Sequence, residues 1–106
     1  MKDTIKNKEQ FQRIYSEGKK FSDNNILICV MPGTGKTAFV AGKKLGCAPV
    51  RNRLKRLLRE TYRLNSFDVK DDVDIIFVAR AGLIGKKLAD AAFSFNRLKK
   101  RAGIVR

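Results

Sequence analysis

Between Lys43 and Arg63 the chain carries eight Lys or Arg and one acid, Glu60. Cations at this density do one kind of chemistry well: they neutralise phosphates and displace the counterions of a polyanion. Successive residues of a helix are about 100° apart, which gathers Asn52, Arg56, Arg59 and Arg63 on an arc opposite Leu54, with Arg51, Arg53 and Lys55 flanking it. A solvated amphipathic helix ordinarily mixes both signs of charge for i,i+4 pairing. Here the bases have almost nothing of opposite sign beside them, so the arc is best read as a nucleic-acid contact. Arginine predominates, and its planar fork suits phosphates and base edges better than the point charge of lysine.

Protein-based catalysis has few candidates. The chain has no histidine, which removes the commonest general acid/base and leaves a zinc site short of ligands. The acids Asp68, Asp71, Asp72 and Asp74 cluster before an apolar run, but their spacing is not specific for a metal, and solubilising loop charge is the plainer reading. Gly35-Lys36-Thr37 resembles the end of a phosphate-binding loop, G-x-x-x-x-G-K-[ST]. Its first glycine would fall at Val30, and the following residues read as strand where the motif opens a helix. No nucleotide cofactor is expected.

The elements that position the basic arc can be read around it. Pro49 suits the first turn of a helix, and Val50, Leu54, Leu57, Leu58, Thr61 and Tyr62 recur at helical spacing, predicting a helix over 49–64. Upstream, a helix over 4–18 is predicted, with Thr4 as its cap and Gly18 as its stop. Its Phe11 and Tyr15 share a face, either as core or as a stacking platform for unpaired bases. Residues 19–25 read as a polar connection. Ile26–Met31 and Lys36–Ala41 read as strands joined at Pro32-Gly33-Thr34-Gly35, a β-hairpin, with the boundary between 36 and 46 left open. Val73–Ala79 is the clearest strand, and the strand–helix–strand order around the basic helix predicts a parallel crossover. A last helix over 84–101 turns Leu88, Ala91, Phe95 and Leu98 to the core, and its end carries Arg97, Lys99, Lys100 and Arg101.

A chain of 106 residues with a formal charge of +14 fits one domain over 1–106 that binds RNA, DNA or anionic lipid. No apolar run reaches membrane-spanning length, and the start lacks the hydrophobic segment of a secretory signal. With Cys29 and Cys47 in unlike contexts, reduced cysteines and a cytoplasmic location are expected.

The run Lys43-Lys44-Leu45-Gly46-x-Ala48-x-Val50-Arg51-Asn52-Arg53-x-Lys55-Arg56-x-x-Arg59-Glu60 closely resembles the signature of the bacterial ribonuclease P protein subunit. The resemblance extends to Phe11-Gln12-x-x-Tyr15 with Gly18, to the Ile75-Ile76 strand ending in Arg80, and to the basic last helix. It implies an α+β fold, an α/β sandwich of order α-β-β-β-α-β-α. The sheet would be mixed and four-stranded, with helices packed on it and a left-handed βαβ crossover against the usual right-handed rule. It also implies an endoribonuclease whose chemistry is carried by a large RNA subunit with bound Mg²⁺, removing the 5′ leader of precursor tRNA. The protein would strengthen binding of substrate and magnesium. Its RNA-binding set would be Lys43, Lys44, Arg51, Asn52, Arg53, Lys55, Arg56 and Arg59. Phe11, Tyr15, Ile28 and Lys36 would line a cleft for the single-stranded leader, and no protein residue would be catalytic. Asn52 fits either a base edge or a metal-bound water. Departures from the family pattern are Gly42 in place of a serine, Cys29 in place of a strand aromatic, and a short connection at Pro32–Gly35. A ribosomal-type RNA binder or a nucleoid-type DNA binder would share the charge and the small core.

Overall fold

The computed structural model describes Ile5 and residues 7–106. The elements run α1 (Lys8–Glu17), β1 (Lys19–Ser22), β2 (Ile26–Pro32), β3 (Thr37–Val40), α2 (Ala48–Asn65), β4 (Val73–Ala79) and α3 (Leu88–Arg101), with short 3₁₀ turns at Lys43–Leu45 and Ala81–Leu83. This is the expected α-β-β-β-α-β-α order, an α+β fold with a four-stranded mixed sheet.

The sheet departs from the sequence reading at both ends of β2. Residues 19–22, expected as connection, form an edge strand antiparallel to β2. Lys19 and Lys20 disguise it, because charge on an exposed edge blocks further pairing while hiding the hydrophobic pattern. Its turn is closed by Asp23, whose carboxylate accepts from the Asn25 and Ile26 amides at 2.8 and 2.9 Å. Burial opposes the charge on Asp23, but the hydrogen bonds to Ile26, Ser94 and Asn25 and the charge of Arg97 hold its carboxyl below the usual value.

The expected β2–β3 hairpin does not form. The strand order is β1-β2-β4-β3, so β4 lies between them, antiparallel to β2 and parallel to β3. Asp74 supplies the physical reason. It is buried, and its Oδ1 accepts from the Thr34 and Lys36 amides at 3.1 and 2.8 Å. A Cβ on Gly33 would sit 2.1 Å from that carboxylate. The Pro32–Gly35 segment therefore wraps the start of β4 instead of folding β3 back on β2, and Asp74 is a structural acceptor, not loop charge. The parallel β3–α2–β4 crossover is as expected.

Helix boundaries shift for identifiable reasons. Thr4 lies outside the described residues, and α1 starts after Asn7, whose side chain accepts from the Glu9 and Gln10 amides. Gly18 ends α1 and crosses close to β2, where an added Cβ would stand 2.5 Å from the Ile14 carbonyl and 2.9 Å from that of Val30. The last helix begins at Leu88, not 84, and Asp90 accepts from the Lys87 amide at 3.1 Å to close its first turn.

Side chains alternate across the sheet and divide the core in two. One face carries Ile26, Ile28, Val30, Ile75, Phe77 and Ala79 against Leu54, Leu58 and Tyr62 of α2 and Ala91, Phe95 and Leu98 of α3. The other presents Cys29, Ala38 and Ile76 to Ile14 of α1 and to Ile5. Helices α2 and α3 lie side by side and run the same way. Arg53 donates to the Lys86 carbonyl near their starts, while Asn96 donates to Asn65 and Lys99 to Asn65 and Asp68 near their ends.

Candidate nucleic-acid interface

The basic arc on α2 takes the predicted orientation. Leu54 and Leu58 are fully buried, while Asn52, Arg56, Arg59 and Arg63 are exposed. Lys43 and Lys44 are exposed on the 3₁₀ turn ahead of the helix, and Gly46, at φ 134°, makes the bend that few side chains tolerate. Pro49 sits in the first turn, as expected.

The cations differ in what already occupies them. Arg63 pairs with Glu60 at 2.8 Å, and this hydrogen bond lowers the Glu60 pKa and raises that of Arg63. Arg53 is held by the Lys86 carbonyl at 3.0 Å. Arg59 lies over the Phe39 ring, 5.6 Å from its centre. Arg51 is half-buried, and its Nε has no hydrogen-bond partner among the described residues. Lys55 is half-buried beside it. Asn52 and Arg56 face outward from the same surface. With only Glu60 to balance it, the surface stays strongly cationic.

The opposite face of the sheet is only partly covered. Strand register places Lys20, Cys29, Ile76 and Ala38 in one row across the sheet, and α1 seals its apolar part with Ile14. The next row, Leu27, Val78 and Val40, is half-buried and forms an apolar floor beside α1. At its wall Phe11 and Tyr15 stack with ring centres 6.3 Å apart and planes at 11°. Tyr15 is 44% exposed, and the Lys20 ammonium stands 5.1 Å from its ring centre. Aromatic faces with a neighbouring ammonium suit an unpaired base and its phosphate.

Of the four residues expected to line a cleft, Phe11 and Tyr15 meet on this face. Lys36 shares the strand parity of Ala38 and Val40 and is half-buried, its amide bound to Asp74. Ile28 does not belong with them. Strand alternation turns it to the α2–α3 side, where it is fully buried. Lys20, Leu27, Val40 and Val78 escaped the sequence reading because only cross-strand register reveals them. The basic arc and the apolar floor meet at the β3 edge: Phe39 carries Arg59 on one face, and Val40 ends the floor on the other.

Among the described residues no group of three His, Cys, Asp or Glu side chains converges as metal ligands. Asp74 is occupied by backbone amides and Asp68 by Lys99. Both acids are thus engaged by groups of the protein itself. No helix among the described residues is long and apolar enough to cross a membrane.

Comparison with known proteins gives matches over nearly the whole chain. The family model described as ribonuclease P matches residues 1–103. The ribonuclease P protein component of Clostridium kluyveri is 35% identical over 107 residues, covering 96% of each chain. That of Clostridium perfringens is 31% identical over 111 residues, covering 95% of this chain and 89% of the relative. In fold, the chain matches the Staphylococcus aureus RNase P protein at a TM-score of 0.82 over 100% of both chains, with 24% identity. The Thermotoga maritima RNase P protein gives 0.81 over 93% of this chain and 97% of the other, with 23% identity.

Proposed function

Since the chain belongs to the ribonuclease P protein family, we propose that it binds the RNA subunit of ribonuclease P and assists removal of the 5′ leader from precursor tRNA. The observation that carries this reading is the meeting of two surfaces at the β3 edge. One is an arginine-rich helix face with a single acid, and the other is a half-open apolar floor walled by stacked aromatics. The first suits a folded RNA, whose phosphates it neutralises with release of counterions. The second suits a short single strand, whose unpaired bases stack and whose phosphates meet Lys20 and Lys36.

In this reading Lys43, Lys44, Arg51, Asn52, Arg53, Lys55, Arg56 and Arg59 contact the RNA subunit. Phe11, Tyr15 and Lys36, joined by Lys20, Leu27, Val40 and Val78, hold the leader. Bond cleavage belongs to the RNA and its Mg²⁺, which the protein aids by holding substrate in place and offsetting phosphate repulsion. A reconstituted reaction tests this. The protein added to a bacterial ribonuclease P RNA at low magnesium restores cleavage of precursor tRNA. Absence of stimulation with RNA binding intact would leave only a general RNA binder.

A further inference from the structure

The outer face of α3 has no part in either surface described above. Phe93 stands there 65% exposed, with the Arg97 guanidinium 5.7 Å from its ring centre. Steps of about 100° per residue place Phe93, Arg97 and Lys100 on one arc opposite the buried Phe95, and all three are exposed. Arg101 continues the charge. The helix has one acid, Asp90, whose carboxylate accepts from the Lys87 amide, and Asp23 of the β1–β2 turn is the other acid near, close enough to feel the Arg97 charge; Arg97, Lys100 and Arg101 outnumber the two. Isolated exposed apolar residues are ordinary, so the neighbours decide. Phe67 is more exposed, at 74%, and has the Lys99 ammonium 5.2 Å from its ring centre, but that ammonium is paired with Asp68 at 2.7 Å, which leaves Asp71 and Asp72 beside the ring to repel phosphate. Leu64 and Ile84, at 48% and 46%, have no ring to stack. Phe93 alone among these combines an open aromatic face with a local excess of cations.

Its position adds a second argument. Because α2 and α3 run side by side and Arg53 is bonded to the Lys86 carbonyl, their outer faces form one surface. The α2 arc therefore continues through Lys86 and Lys87 onto α3. We propose that Phe93, backed by Arg97 and Lys100, is a stacking site for an unpaired base of the same RNA that lies on the α2 arc. This rests on the RNA-binding reading above and extends the footprint by one helix. The Arg97 charge draws the backbone of that nucleotide while Phe93 takes its base, a pairing worth about tenfold or more in affinity at typical stacking strengths.

The chain has no tryptophan, so Phe93→Trp installs a single fluorescent reporter at the site. Titration of this variant with a bacterial ribonuclease P RNA transcript should quench its emission, whereas heparin, a polyanion without bases, should not. Phe93→Ala should weaken binding of the labelled transcript about tenfold with its thermal midpoint unchanged. Unchanged emission at saturating RNA, with anisotropy showing a normal complex, would overturn the α3 site and leave the α2 reading standing. Equal quenching by heparin would overturn stacking. A blue shift that grows with protein concentration in the absence of RNA would assign Phe93 to a second copy of this chain instead. Failure of the parent protein to bind the transcript would overturn both readings.

Discussion

The two faces of the sheet are built from the same strands and do opposite things. On the α2–α3 side, Phe39, Tyr62, Phe77 and Phe95 form a chain of ring contacts with centres 5.1–6.2 Å apart. Two helices close over them. On the α1 side a single ten-residue helix covers one row and leaves Leu27, Val78 and Val40 half-open. Apolar burial is what stabilises a domain of this size, so the first face holds the fold. The second leaves part of that stabilisation unrealised, as a binding surface must. Adjacent residues such as Phe77 and Val78 thus have different duties by strand parity alone.

The largest expected effect tests that division directly. Phe77→Ala should cost about 3–5 kcal/mol of stability, read from denaturant midpoints, whereas Val78→Ala should cost about 1 kcal/mol or less. Equal losses would break the comparison. Next in size, Arg56→Ala with Arg59→Ala should weaken RNA binding about tenfold or more and flatten its salt dependence by roughly two phosphate contacts, with little change in melting temperature. A collapse in stability would show that these side chains hold the fold instead of facing out.

Tyr15→Ala sharpens the open face. Loss of one stacking surface should weaken precursor tRNA with a 5′ leader by up to about tenfold, and mature tRNA not at all. Equal loss for both would remove the leader from that floor. The smallest effect concerns the seam between α2 and α3. The Lys99 hydrogen bond and charge hold the Asp68 carboxyl below its ordinary 3.8. A depressed folded-state pKa contributes stability above the unfolded value and loses it as pH falls. Asp68→Asn should therefore melt lower than the parent at neutral pH, and the gap should close as pH falls below about 3.8. A gap independent of pH would mean that the pair is not what the seam relies on.

Which parts were legible follows from how local each signal is. The α2 arc was readable because helical periodicity is a property of neighbouring residues, and Leu54 and Arg56 fall on opposite sides as the spacing dictates. Strand β4 was readable because it is apolar on both faces. Strand β1 was not, since Lys19 and Lys20 break its pattern and its pairing depends on β2. The hairpin expectation failed for a related reason. Two strands joined by a Pro-Gly turn resemble a hairpin until Asp74, far along the chain, claims the amides of that turn. Ile28 failed because a run apolar on both faces does not reveal which parity is sealed. The count of four strands came from family resemblance, not from residue patterns, and only pairing with β2 places the extra one at Lys19–Ser22.

The insertion of β4 between β2 and β3 has a consequence for how the protein is made. Ile26 pairs with Ala79, and Thr37 with Ile75, so neither earlier strand gains its central partner until most of the chain has left the ribosome. Until then β1 and β2 form an isolated ribbon, and a two-stranded ribbon is marginal in water. The growing chain meanwhile exposes its most basic helix beside unpaired apolar strand edges, which makes the nascent protein prone to aggregate and to bind passing RNA. The strand order that assembles the two surfaces therefore also makes assembly a late and nearly all-or-none event in synthesis.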